Sequence, residues 1–152
     1  MVTAEALWKQ FLQETQMEDC AYEAWSFGVN PDELARLVAA GQKTGTSSAY
    51  ALYELSDETL PQVNDHSVIL DAHDEAVCVI KNIRVETLPF CDVTQEHARK
   101  EGEGDLSLAY WKRVHEAYFR QCFAEAGLTF TEDALVVYEE FAVVYRAENA
   151  VL

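Results

Sequence analysis

Two short stretches hold residue types from which a reactive site can be built. In Gly41-Gln42-Lys43-Thr44-Gly45-Thr46 the chain leaves a predicted helix through a glycine and enters a predicted strand. An amine and a hydroxyl thus sit where a mobile turn meets a rigid element, a place that commonly carries functional groups. The same residues have an ordinary use as well: lysine complements the C-terminal end of a helix dipole, and threonine suits the start of a strand. The second stretch, residues 92–105 (DVTQEHARKEGEGD), spaces His97 and Glu101 four apart on one helix face, followed by two glycines that let backbone approach a ligand. A solvated acidic helix explains that pair equally. Trp111 with Tyr118 or Phe119 reads as core packing, while Tyr22, Trp25 and Trp111 also offer π faces for stacking a pyrimidine ring. Lys112-Arg113, with His115, either meets a phosphate or pairs with acids.

Charge narrows the chemistry. Eleven lysines and arginines against 27 acids give a formal charge of −16. Such a chain repels a phosphate backbone unless its cations converge on one face, whereas a nucleoside without phosphate needs almost no cation. Cys20, Cys78, Cys91 and Cys122 are scattered and read as core thiols. His66, His73, His97 and His115 show no zinc-ligand spacing, so no metal and no cofactor are expected. The absence of a run of about 20 apolar residues argues for no membrane partner, and residues 1–10 do not resemble a secretion signal. A cytoplasmic protein is expected.

The elements that must position these residues follow from periodicity and caps. Residues 3–17 repeat apolar positions at helical spacing behind Thr3, and Asn30-Pro31-Asp32-Glu33 opens a second helix that Gly41 stops. Residues 21–28 (AYEAWSFG) read as a turn-rich linker and residues 44–54 as a strand. Residues 66–72 and 76–88 form a hairpin whose second arm is long enough to bend, and residues 135–146 give another long strand. Between them, Thr94 caps a short helix over 95–100 and Ser107 caps a longer one over 108–126 that ends at Gly127. With no repeat and no linker, residues 1–152 read as one domain. Its order is that of an α+β fold on a curved or closed antiparallel sheet, not of alternating strand-helix units.

Taken in order, KTGTSSAYALYE, VTQEHARKEGEGD and YWKRVH resemble the ASCH domain family, a branch of the PUA-like superfamily, over nearly the whole chain. The resemblance implies a small curved antiparallel β-barrel, flanked by N-terminal helices and with a helical insert before the last long strand. The broader family pattern is Gly-x-Lys-x-x-Glu-x-Arg; here Gly41 and Lys43 are kept, with Thr46 and Ser48 in place of the glutamate and arginine. A shorter bacterial relative, the N(4)-acetylcytidine amidohydrolase, is similar in having threonine at the position of Thr46. Its Thr-x-x-His-Ala-x-x-Glu segment matches Thr94, His97, Ala98 and Glu101, while Gly45 stands where it has a β-branched residue. By that resemblance Lys43 is the proton acceptor, Thr46 the nucleophile and Glu101 the proton donor. Trp25, Thr44, His97, Asp105, Trp111 and Arg113 are the residues expected around the substrate.

Those roles carry physical demands. A threonine hydroxyl needs a base to remove its proton, a lysine serves only if burial depresses its pKa, and the donor glutamate needs a raised one. Three functions stay open: an amidohydrolase acting on linear amides of a small-molecule nucleoside, an RNA-binding protein or ribonuclease, and a non-catalytic ligand-binding domain. The RNA reading requires Lys43, Arg99, Lys100, Lys112, Arg113 and Arg120 to converge. Monomer and dimer are equally compatible with the sequence.

Overall fold

In the computed structural model, which describes residues 1–148, the elements follow the order α1 (Ala4–Thr15), β1 (Glu23–Ser26), α2 (Pro31–Ala39), β2 (Gly45–Ala49), α3 (Tyr50–Ser56), β3 (His66–Leu70), β4 (Ala76–Pro89), α4 (Gln95–Glu101), α5 (Leu108–Glu125) and β5 (Leu135–Arg146). Thr3, Thr94 and Ser107 cap α1, α4 and α5 with side-chain hydrogen bonds, as their residue types favour. Asn30 occupies the cap position of α2 in the left-handed region and its side chain makes no cap bond; Pro31 supplies the helical start.

One five-stranded sheet runs β1-β3-β4-β5-β2, with β1 parallel to β3 and every other pair antiparallel. β4 and β5 are its spine. Their register shifts at Val79/Ile80 and again between Asn82 and Arg84, and such bulges strengthen the local twist that curls the sheet into a half-barrel. β1 and β2 form its two edges. The expected barrel is therefore curled but ends in two free-standing margins, and one of its pairings is parallel.

Two elements differ from the sequence reading. Residues 23–26 form a strand and not a linker: four residues are too few for periodicity to register, and their partner, β3, lies far along the chain. The strand expected over 44–54 ends at Ala49, where α3 begins, because Leu52 packs against the core on a helical repeat.

Three apolar clusters hold the layers together. α1 packs Leu7, Trp8 and Phe11 on Val68, Val79 and Ala147. α2 sets Ala35 and Val38 against Ile69, Ile80 and Phe141. α5 buries Trp111, Phe119 and Phe123 with Phe90, Phe130 and Val136. Among the described residues, no helix is long and apolar enough to cross a membrane.

Candidate functional site

The turn between α2 and β2 is bound to the end of α4 by hydrogen bonds on both sides of Lys43. Thr44 donates from its backbone N–H (2.7 Å) and from its hydroxyl (3.1 Å) to the Lys100 carbonyl, and the Gln42 side-chain amide donates to the Gly102 carbonyl (2.8 Å). Gly102 ends α4 at φ +70°, and a Cβ there would overlap the Gln42 carbonyl oxygen, so glycine is what lets the two segments touch. Lys43 and Glu101 are thereby forced to meet, each with 1% exposure.

Lys43 Nζ donates to Glu101 Oε1 (3.3 Å), the Glu101 carbonyl (3.4 Å) and Glu103 Oε2 (2.7 Å). The opposite carboxylate oxygen, Glu101 Oε2, accepts from Trp111 Nε1 at 2.6 Å and from the Ser47 hydroxyl. His115 Nε2 lies 3.4 Å from Glu101 Oε1, its Nδ1 is 2.9 Å from the Trp111 carbonyl, and its ring stacks on the Trp111 indole at 4.1 Å between centroids. Burial works against ionisation of Glu101, but Lys43, His115 and Ser47 outweigh it and hold the carboxyl at about 2. His115 is also pushed down by burial, yet its contact with Glu101, helped by the Trp111 carbonyl and Glu103, raises it overall.

Lys43, Ser47, Glu101, Glu103 and His115 line a cavity of about 720 Å³, within the range of small-molecule sites. β1 contributes Glu23 and Trp25, α3 contributes Tyr53, and α5 contributes Tyr110, His115 and Tyr118. Gly28 closes one wall, since a Cβ there would lie 2.7 Å from Tyr118 Oη. Thr46, Ser47 and Ser48 line the wall formed by β2. Thr46 sits opposite Glu139 in the β2–β5 ladder, and both line the cavity. Asn82 Nδ2 donates to Glu139 (3.0 Å), but burial, with Asp65 and Glu23 nearby, raises the Glu139 carboxyl above its ordinary value.

The expected site residues divide. Lys43, Thr46, Glu101 and Trp25 line the cavity. Ser47 is the hydroxyl on Glu101; among the described residues, no hydrogen bond links Thr46 to Lys43 or Glu101. Trp111 is 2% exposed in the α5 core and acts through its N–H on Glu101, not as an open stacking face. Thr44 is spent on the Lys100 carbonyl. His97 lies outside the cavity, bonding Thr94 in the α4 capping box and Glu86 Oε1 at 3.1 Å. Asp105 accepts from Ser107 N–H at the start of α5, and Arg113 lies exposed over the Tyr110 ring; both are outside the cavity lining.

Ser47, Glu103, Asn82 and Glu139 are additions that sequence reasoning did not single out, and His115, read there only beside Lys112-Arg113 as a contact for a phosphate or for acids, joins them. His115 carried a usable signal, its i,i+4 spacing from Trp111 on one helix face; Glu139 and Asn82 depend on strand pairing. The departure at Gly45 has a steric cause, because a Cβ there would lie 2.6 Å from Tyr138 Oη, which is buried without a hydrogen-bond partner. Glu101, Glu103 and His115 bring ligand atoms within 4.8 Å of one another, a donor set suited to a divalent ion. Lys43 bonds both carboxylates and already supplies the positive charge there.

The sequence model of the ASCH domain matches residues 23–145. A crystal structure of an ASCH domain from Lactobacillus crispatus JV V101 is 30% identical, with a TM-score of 0.88 over 93% of this chain and 94% of that one. A protein from Enterococcus faecalis V583 is also 30% identical, with a TM-score of 0.86 over 93% and 88%. An ASCH protein from Zymomonas mobilis shares the fold at 11% identity and a TM-score of 0.54, over 80% of this chain and 70% of its own. None of the curated proteins matches.

Proposed function

This chain belongs to the ASCH domain family, and from that premise we propose that it hydrolyses an amide on a small, uncharged nucleoside-like ligand such as N(4)-acetylcytidine. The observation that carries the reading is the cavity itself, with the buried Lys43–Glu101 pair at one end beside the hydroxyls of Thr46 and Ser47. Its lining opposes a phosphate: Glu23, Glu58, Asp65, Glu101, Glu103 and Glu139 face it, against Lys43 and His115. Trp25 and Tyr53 offer aromatic surface to a base.

The RNA reading has less support. Arg99 pairs with Glu96, Lys100 with Glu140 and Arg120 with Glu116, so each of these cations already has an acidic partner beside it. In the hydrolase reading Thr46 is acylated and Lys43 receives its proton. All the N–H groups of the Lys43 ammonium point at acceptors, so Lys43 must lose a proton before it takes one.

Incubation with N(4)-acetylcytidine, with cytidine release followed by chromatography, tests the reading. Release is expected to fall by about 100-fold or more in Lys43→Ala and in Thr46→Ala. Ser47→Ala is expected to retain more activity than Thr46→Ala. No release by the native chain, or equal rates in all variants, overturns the reading.

A further inference from the structure

We propose that Glu139, held by Asn82, accepts a hydrogen bond from the nitrogen of the ligand's scissile amide and so selects bases that carry an exocyclic amine. The inference rests on the amide-hydrolase reading above and names the residue that sets its substrate class.

Position comes from the strand ladder. Thr46 and Glu139 are direct partners in the antiparallel β2–β5 pairing, so their side chains leave the same face of the sheet with Cβ atoms about 5 Å apart. Both line the cavity. An acyl carbon placed for attack lies about 3–3.5 Å from the Thr46 hydroxyl oxygen, and the amide nitrogen is bonded to that carbon at about 1.33 Å. The side chain across the ladder is therefore within reach of the hydrogen on that nitrogen.

Glu139 is built as an acceptor. Asn82 is 5% exposed, and its Nδ2 donates to Glu139 Oε1 at 3.0 Å and to the Gln62 carbonyl at 3.4 Å. One carboxyl oxygen is thus pinned, while Glu139 Oε2 has no protein partner among the described residues. The Asn82 bond also works against the upward push of burial on this carboxyl and favours the ionised form, which only accepts. Other polar groups of the cavity are engaged elsewhere or lie farther out. Glu101 is met by Lys43, Ser47 and Trp111, Glu103 is drawn to Lys43, and the hydroxyls of Ser48 and Tyr53 hold each other at 2.8 Å. Glu23, Glu58 and Asp65 are exposed.

An acceptor at this place tells two pyrimidines apart. Cytosine carries an N–H donor at its exocyclic position, where uracil carries a carbonyl acceptor. The donor satisfies Glu139 Oε2; the carbonyl sets two acceptors against each other and leaves the carboxylate unpaired. A site arranged to bond an N–H rejects the analogue that lacks it. An amide formed on the exocyclic amine keeps one hydrogen on nitrogen, so the contact serves the acylated ligand and the free amine alike.

Calorimetric titration with cytidine and with uridine, which share ring and sugar, tests the proposal without turnover. The native chain is expected to bind uridine about tenfold or more weakly than cytidine. In Glu139→Gln, Asn82 keeps the remaining oxygen and an NH2 group takes the place of Oε2, so the preference is expected to fall by about tenfold, to equality or reversal. Uridine binding by the variant reports that it is folded. Cytidine bound no better than uridine by the native chain, or a preference kept in Glu139→Gln, overturns the proposal, and release of cytidine from N(4)-acetylcytidine by the native chain then leaves the hydrolase reading standing. Failure of the native chain both to bind cytidine and to release it overturns both.

Discussion

Lys43 Nζ and Glu101 Oε1 lie 3.3 Å apart, 58 residues distant in sequence, with both side chains at 1% exposure. A buried charge left without its partner is costly, on the order of 3–5 kcal/mol. Glu101→Gln should therefore destabilise the fold by about 3 kcal/mol in urea titration, with Glu103 limiting the loss. Lys43→Met, which replaces the stem with a similar apolar volume, leaves Glu101 with His115, Ser47 and Trp111 as donors and should cost less. Both variants should lose hydrolysis, so stability and activity separate.

Acid should reveal the same pair. Folding lowers the Glu101 carboxyl from 4.5 to about 2, so the unfolded chain binds its proton more tightly. The contribution, about 3 kcal/mol, is fully present above pH 4.5 and is lost as pH falls toward 2. His115 runs the other way: its raised pKa stabilises below the unfolded value and the contribution disappears as pH rises through the folded one. Urea midpoints measured from pH 2 to pH 6 should fall toward acid more steeply in the native chain than in Glu101→Gln.

Two glycines at positive φ should respond differently to alanine. Gly41, at φ +80°, has open space around it, so Gly41→Ala should cost only the left-handed backbone term, about 1–2 kcal/mol. Gly102→Ala adds overlap with the Gln42 carbonyl and pushes the Lys43 segment off Glu101. Its loss of stability should exceed that of Gly41→Ala, and hydrolysis should fall with it. Equal melting temperatures for the two variants would refute the close-approach argument.

Phosphate should weaken binding. With the acidic lining described above, a 5′-monophosphate of the same nucleoside should bind more weakly than the nucleoside by about tenfold, and added salt should narrow the gap. Calorimetric titration of both ligands at two ionic strengths checks this.

The capped helices and the β3–β4 hairpin were legible because their information is local: Thr94, Ser107 and the long apolar runs act within a few residues. β1 was not, since a four-residue strand becomes one only by pairing with β3. Lys43, Thr46 and Glu101 came from a family resemblance, and the structure adds the reason Lys43 and Glu101 meet, the Gln42–Gly102 and Thr44–Lys100 bonds. His97 shows the limit of face reasoning. Its i,i+4 spacing from Glu101 is real, but the Nδ1 bond to Thr94 turns its ring toward Glu86 and the edge of Tyr138, away from the cavity.

The place of β2 in the sheet has a consequence for biosynthesis. β2 pairs with β5 and with no other strand among the described residues, so Gly45–Ala49 leave the ribosome long before the strand that will hold them. The β3–β4 hairpin can close early, but Thr46 has no ladder to join until Leu135–Arg146 has emerged and laid itself between β4 and β2. The β2 wall of the cavity should thus form only after β5 has emerged, and a nascent chain stalled before β5 should carry Lys43, Thr46 and Glu101 without the ladder that sets Thr46 opposite Glu139.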